Sequence, residues 1–324
     1  MPRSTKSLQM LTVLAAGVGI LSAPAGAADK VRFVNSTKVV FEMEHAYTAK
    51  ENGIFDKHNL DVSIIHGDGG AASLQAVIIG SQDVVWGNGS LGVIAAYAKG
   101  APVRVLGSNI KGVGEIFWYV KTDSPIRKFE DIKSGNVLAY SRPGSTTHLA
   151  ALFLQDALKL NAKLVSVGGP AAARTQLMSG QVDTGWSAFP INADLIRKKQ
   201  IRVIGTGARA EGLNGVSIRF IAANSDWLEK NRDVAKRFMK AMEEARQLTY
   251  KSEKQMRAYA KRWKMEYEDV KDAGKYTTIE NSEMLPIGNL QKLNELAVRF
   301  KRISKPLTAA QLKELVHPLG EKPM

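Results

Sequence analysis

The sequence predicts an α/β protein of two lobes, each a mostly parallel sheet covered by helices, with a cleft between them. Three observations carry this reading. Short apolar runs alternate along the chain with runs at helical spacing, which is the βαβα order of a helix-covered sheet. The stretch 76–90, AVIIGSQDVVWGNGS, is echoed by 176–190, QLMSGQVDTGWSAFP, with Gly80, Asp83 and Trp86 matched by Gly180, Asp183 and Trp186. One such pair is no solenoid; it points to two similar units facing each other. Finally, two long apolar strands, EIFWYVK (115–121) and GVSIRFIAA (215–223), bracket the middle of the chain and read as crossovers out of the first lobe and back. The expected division is 1–27 an export segment, 28–117 lobe 1, 118–221 lobe 2, and 222–324 a helical second part of lobe 1.

Each element has its own justification. Arg3 and Lys6 precede an apolar run, residues 8–21, of signal-peptide length, and Ala25-Gly26-Ala27 is a small-residue cleavage site, so cleavage is expected after Ala27. Val31 to Val34 is a strand followed by the polar turn Asn35-Ser36-Thr37. Glu42 to Asn52 is a helix closed by Gly53. Leu60 to Ile65 is a strand leading to Gly67-Asp68-Gly69-Gly70 and the helix 71–79. Asp83 to Trp86 is the first echoed strand, ending in Gly87-Asn88-Gly89-Ser90. The helix 91–98 and strand 103–107 complete this half. In lobe 2, strand 136–140 runs into Ser141-Arg142-Pro143-Gly144-Ser145-Thr146-Thr147-His148 and helix 149–160. Strand 163–167, helix 170–178, the second echoed strand, helix 193–199 and strand 201–204 follow. Beyond Asp226, the spacing of Val234, Phe238, Met242 and Ala245 gives an amphipathic helix with Lys236, Lys240 and Glu244 on its solvated face.

Composition excludes several classes of function. The chain has no cysteine among its 324 residues, which excludes disulfides, thiolate nucleophiles, thiolate metal sites and a lipidated N-terminal cysteine. The five histidines, at positions 45, 58, 66, 148 and 317, form no H-x-x-x-H or H-E-x-x-H pattern, so neither a metal nor a cofactor is implied. His148 lies near Ser145, but no G-x-S-x-G elbow accompanies them, and helix capping explains both. The formal charge of +14 falls to +12 once Arg3 and Lys6 are removed (14 minus 2), enough to steer anions. The basic residues are scattered along helices, and no nucleic-acid-binding signature is present.

Binding residues are sought where strands end, because ligands of open α/β sheets gather outside the carboxyl ends of the strands. This selects Ser36 and Thr37, Asn88 and Ser90, and the loop Ser141, Gly144, Ser145, Thr146 and Thr147. The last group stands at a helix N-terminus, where free N–H groups and the helix dipole favour an anion; N-capping by Ser145 or Thr146 is equally compatible. Ser187 and Phe189 lie in the lobe-2 echo of the turn 87–90. Trp86 and Trp186 either line the cleft or pack beneath it. Glu42 complements its own helix dipole or, turned into the cleft, argues against an anionic ligand.

The ordered set KENGIFDKHNLDV (50–62), LQAVIIGSQDVVWGNGS (74–90), YVKTDSPIRKFEDIKSGNV (119–137), SRPGSTTH (141–148) and LMSGQVDTGWSAFP (177–190) resembles ABC-transporter periplasmic substrate-binding proteins of the sulfonate, nitrate and taurine group, relatives of the thiamine-pyrimidine-type binding proteins. That resemblance implies the type II periplasmic-binding-protein fold. It also implies a monomer that closes by hinge on a small organic molecule and delivers it to an inner-membrane permease, with ligand contacts from Asn35 to Thr37, Gly69 and Gly70, Asn88 and Ser90, Ser145 to Thr147 and, as the lobe-2 echo, Ser187 and Phe189. An organic anion, a sulfonate or carboxylate that could be aromatic, is expected. The alternatives are an amine-bearing or pyrimidine solute, and a ligand-sensing subunit of a receptor. The related fold also resembles pyrimidine-forming and desulfinating enzymes, which rest on cysteine; none is present here, so no enzymatic activity is expected.

Overall fold

The computed structural model describes residues 27–317 together with Met1 and Leu319. Residues 2–26 of the expected export segment lie outside the described residues. No helix among those described is long and apolar enough to cross a membrane.

Lobe 1 begins with β1 (Asp29–Asn35), α1 (His45–Glu51), α2 (Ile54–Lys57), β2 (Leu60–His66), α3 (Gly70–Ile78), β3 (Val84–Gly89), α4 (Ser90–Ala98) and β4 (Val103–Lys111). Lobe 2 comprises β5 (Ile116–Lys121), β6 (Val137–Tyr140), α5 (Thr146–Ala157), β7 (Lys163–Ser166), α6 (Pro170–Met178), β8 (Gly185–Ala188), α7 (Ala193–Arg197) and β9 (Ile201–Thr206). The chain returns through β10 (Ser217–Asn224) to α8 (Ser225–Lys230), α9 (Arg232–Lys251), α10 (Glu253–Trp263), α11 (Tyr267–Ala273), α12 (Leu290–Arg299) and α13 (Ala309–Leu315).

The first sheet has the order β2-β1-β3-β10-β4. β1 pairs in parallel with β2 and β3, and β10 runs antiparallel between β3 and β4. Lobe 2 is less parallel than its echo suggests. β5 is antiparallel to both β8 and β9, and the parallel pair β6–β7 stands beside them. Both strands expected as crossovers lie wholly within one sheet, β5 in the second and β10 in the first. The chain therefore changes sheets at 112–115 and 207–216, a few residues ahead of the divisions at 117 and 221. A strand buried on both faces reads as uniformly apolar, so its sequence does not mark which sheet holds it.

The echo has a physical basis. Asp83 accepts hydrogen bonds from the Arg32 backbone N–H (2.8 Å) and its Nε, tying the start of β3 to β1. Asp183 accepts from the Val137 backbone N–H (2.8 Å) and Asn136 Nδ2 (3.2 Å), tying the approach to β8 to β6. Trp86 Nε1 donates to the Glu42 carbonyl (3.0 Å), and Trp186 Nε1 to the Gly168 carbonyl (3.0 Å). Each Trp anchors a loop, and both indoles are buried in the cores. Trp86 meets Phe33 edge-on at 6.4 Å, and Phe33 in turn packs on Phe238 of α9 at 5.4 Å.

The C-terminal helices do more than complete lobe 1. Asp269 pairs with Arg197 at 2.5 Å, Tyr276 stacks on Phe189 at 4.1 Å, and Arg299 pairs with Asp156 at 2.5 Å. Each contact joins the C-terminal part to lobe 2.

Asp83 is buried and Asp183 exposed. Asp83→Ala should therefore cost more stability in denaturant unfolding, about 1–3 kcal/mol for an unsatisfied buried N–H group, and Asp183→Ala less. Equal costs would contradict the burial argument.

Candidate functional site

The site forms where the carboxyl ends of β1, β3 and β4 meet the beginnings of β5 and β10. Antiparallel insertion of β10 brings Arg219, near its N-terminal end, level with Gly89 of β3 and Ile110 of β4. All eight residues of β10 are buried, and Arg219 is the single charge in that run. Its guanidinium pairs with Glu42, in the turn after β1, and its Nη2 lies 2.7 Å from Glu115 Oε1, just before β5. Glu42 and Glu115 are both fully buried. One arginine thus holds two carboxylates, and the three residues join lobe 1 to both passages between the lobes.

Burial pushes the Glu42 carboxyl up to about 7; Arg219 opposes the shift and Glu115 adds to it. His45, at the start of α1, is driven down to about 3 by burial and by Arg246 and is neutral at pH 7. Burial also raises the Tyr250 phenol. Arg246 itself is engaged: Nε and Nη2 donate to Glu243 (2.8 and 2.7 Å), and Nη1 to the Ile279 carbonyl (2.6 Å) and Ser282 Oγ (3.1 Å).

Around this triad stand buried polar atoms without a hydrogen-bond partner among the described residues. They include Glu42 Oε2, Glu115 Oε2, Asn88 Nδ2, Ser90 Oγ, both side-chain polar atoms of Asn109, and both ring nitrogens of His45. Buried polar groups are ordinarily satisfied, so the orphans gathered at this junction make it the candidate site.

Of the residues selected from sequence, Glu42, Asn88 and Ser90 belong to this gathering. Ser36 and Gly70 lie at its border: Ser36 Oγ donates to the Gly87 carbonyl (2.8 Å), and a Cβ on Gly70 would stand 3.1 Å from Asn88 Oδ1. Thr37 is half-buried beside them. Gly69, at φ +92°, turns the chain into α3 while its N–H donates to the Ser36 carbonyl (2.9 Å).

The loop 141–148 is arranged differently. Ser141 Oγ bonds Ser145 Oγ and Thr147 Oγ1, both at 2.8 Å, and Ser145 Oγ accepts from the His148 N–H (3.2 Å) as the N-cap of α5. Thr146 Oγ1 reaches the Ile218 carbonyl at 3.5 Å. Gly144 turns with φ +84° beneath the Arg302 guanidinium. Gly89 sits against this turn so closely that a Cβ there would lie 3.1 Å from the Gly144 carbonyl oxygen and 3.2 Å from Thr146 N. Ser187 Oγ donates to the Ile191 carbonyl (3.0 Å). Phe189 packs between Phe117 (4.4 Å) and Tyr276 (4.1 Å), and its N–H donates to the Glu115 carbonyl (3.0 Å).

Sequence reasoning passed over Arg219, Glu115 and Asn109. The first two carried a usable signal: a lone charge within, or abutting, an otherwise apolar strand.

The fold is that of the periplasmic binding proteins. A family model described as NMT1/THI5 like matches residues 41–255, and the chain belongs to that family. Among solved structures, it is similar to the alkanesulfonate-binding protein SsuA from Xanthomonas axonopodis pv. citri bound to MOPS. That match has 18% identity and a TM-score of 0.75, and covers 89% of this chain and 98% of the other. It is similar also to the periplasmic aliphatic sulphonate binding protein SsuA from Escherichia coli, at 19% identity, a TM-score of 0.71, and 89% and 97% coverage. The periplasmic nitrate-binding protein NrtA from Synechocystis PCC 6803 matches at 15% identity, a TM-score of 0.66, and 89% and 85% coverage. No curated protein matches the chain.

Two outcomes follow from the triad. Arg219→Met leaves two buried carboxylates uncompensated and should destabilise the protein by about 3–5 kcal/mol in denaturant unfolding; a near-neutral result would mean that Arg219 does not hold them. The raised pKa of Glu42 means that the folded state binds its proton more tightly than the unfolded state, so its contribution to stability is lost as pH rises from about 4.5 to about 7. Melting temperatures across that range should fall less in Glu42→Gln than in the parent, and parallel curves would assign the proton elsewhere.

Proposed function

We propose that the protein is the periplasmic solute-binding component of an ABC importer, exported by its N-terminal segment. It closes about the two passages between its lobes onto a small organic molecule, and presents that molecule to an inner-membrane permease. The observation that carries this reading is the gathering of unpartnered buried polar atoms at the meeting of the lobes. Membership of the NMT1/THI5-like family supports it, as does likeness to proteins described as binding sulfonates and nitrate. Ligand binding would shift the population toward the closed state by bridging the lobes. Among the selected residues, Glu42, Asn88 and Ser90 would face the solute directly. Ser36, Thr37, Gly69 and Gly70 would shape the lobe-1 wall, and Ser187 and Phe189 the lobe-2 wall. Ser141, Gly144, Ser145, Thr146 and Thr147 would form the lobe-2 edge that meets Gly89 on closure, while Trp86 and Trp186 support the walls from beneath.

A binding role is favoured over catalysis. A solved neighbour described as a DszB mutant in complex with biphenyl-2-sulfinic acid shares the fold (TM-score 0.63). In this chain His148 accepts from the Gly144 N–H (3.2 Å) and stacks on Tyr140 at 4.4 Å, an arrangement that uses it structurally.

The test is a thermal-unfolding screen of residues 28–324 against sulfonates, carboxylates, nitrate, amines and amidines. A solute that binds the native state raises stability by about 2.7 kcal/mol at a hundredfold excess over its dissociation constant. A rise with one chemical class is expected, and a flat response across the panel would contradict a solute-binding role.

A further inference from the structure

We propose that the junction between the lobes receives its ligand through a nitrogen cation, an ammonium, amidinium or guanidinium group, held by Glu42 and Glu115, with Arg219 fixing the two carboxylates in place. This rests on the solute-binding reading above and names the chemistry that the site accepts.

The charges favour it. Two buried carboxylates face one guanidinium, and the neighbouring cations have other partners. Arg246 is bound bidentately by Glu243, and Arg262 pairs with Glu44 and Glu51. His45 packs between Trp86 (6.2 Å) and Tyr250 (5.6 Å). The junction therefore has a surplus of one negative charge when both glutamates are ionised. An oxyanion brought into it would add a like charge in a low-dielectric setting, whereas a cation relieves the repulsion.

The unpartnered atoms point the same way. When ionised, Glu42 and Glu115 can only accept hydrogen bonds, and their Oε2 atoms, like Asn35 Oδ1 and Asn109 Oδ1, lack a donor. A ligand nitrogen carrying several N–H groups can serve both carboxylates and the Asn109 carbonyl oxygen at once, and the unpartnered donors Asn88 Nδ2, Asn109 Nδ2 and Ser90 Oγ can take an acceptor elsewhere on the same ligand.

The elements expected to hold an anion are engaged elsewhere. The hydroxyls of Ser141, Ser145 and Thr147 bond one another, and the first turn of α5 is packed against the Gly89 backbone. Arg142 pairs with Asp68 across the lobes. An anion at α5 would have to displace Gly89 from that turn.

The experiment is calorimetric titration of the protein with shape-matched probes of opposite charge: benzamidine against benzoate, benzylamine against benzenesulfonate, and agmatine against glutarate. At least one cation should bind and its anionic counterpart should not. Its affinity should fall about tenfold or more in Glu42→Gln and in Glu115→Gln, as for loss of a charge-assisted hydrogen bond; the second variant keeps the test open if the first does not fold. Binding by anions with silence from the cations would overturn the proposal and leave the solute-binding reading intact. Cation binding unchanged in both variants would also overturn it. Silence from every probe in this series overturns the proposal, and silence in the wider solute screen as well would overturn both readings.

Discussion

The structure depends on one constraint: a guanidinium carried into the middle of a sheet. Arg219 lies on the strand by which the chain returns to lobe 1, and its two carboxylate partners lie on the turn after the first strand and on the outward passage. Buried charges persist only when paired, so this ion triad fixes three segments that are distant in sequence. It also leaves two carboxylate oxygens without partners. In the proposed reading, those two oxygens would link the architecture to what the site can bind.

The two lobes reach similar geometry by similar local chemistry. In each, an aspartate at the approach to a strand takes the backbone N–H of a neighbouring strand, and a tryptophan three residues on donates to a loop carbonyl. These contacts fix the strand ends on which the polar residues sit. The C-terminal helices add a third layer. α9 completes the lobe-1 core through Phe238, while the segment beyond it packs Tyr276 on Phe189. Closure about the passages at 112–115 and 207–216 would therefore proceed with this strap in contact with both lobes.

Much of the fold is legible in the sequence because its signals are local. The Gly80–Trp86 echo at Gly180–Trp186, the apolar strands and the glycine stops each reflect a repeating backbone requirement. The candidate site is legible only in part. Asn88 and Ser90 follow from their place after an echoed strand, and Glu42 from a carboxylate near the first helix. Arg219 and Glu115 are harder to find because their meaning depends on sheet order: the antiparallel insertion of β10 between β3 and β4 brings them together, and nothing local encodes it. The loop 141–148 shows the same limit. A run of Ser, Gly and Thr before a helix reads alike whether its hydroxyls face a ligand or, as in loop 141–148, one another.

The central claim is that the lobes close on a solute at this junction. The chain lacks cysteine, so Ser134→Cys in lobe 2 and Lys230→Cys in lobe 1, both exposed, would carry a single pair of spin labels. The decisive measurement is the distance distribution between them, with and without a saturating concentration of the compound that most raises the melting temperature. The account predicts a shorter and narrower distribution with the compound bound. An unchanged distribution at saturation would contradict closure.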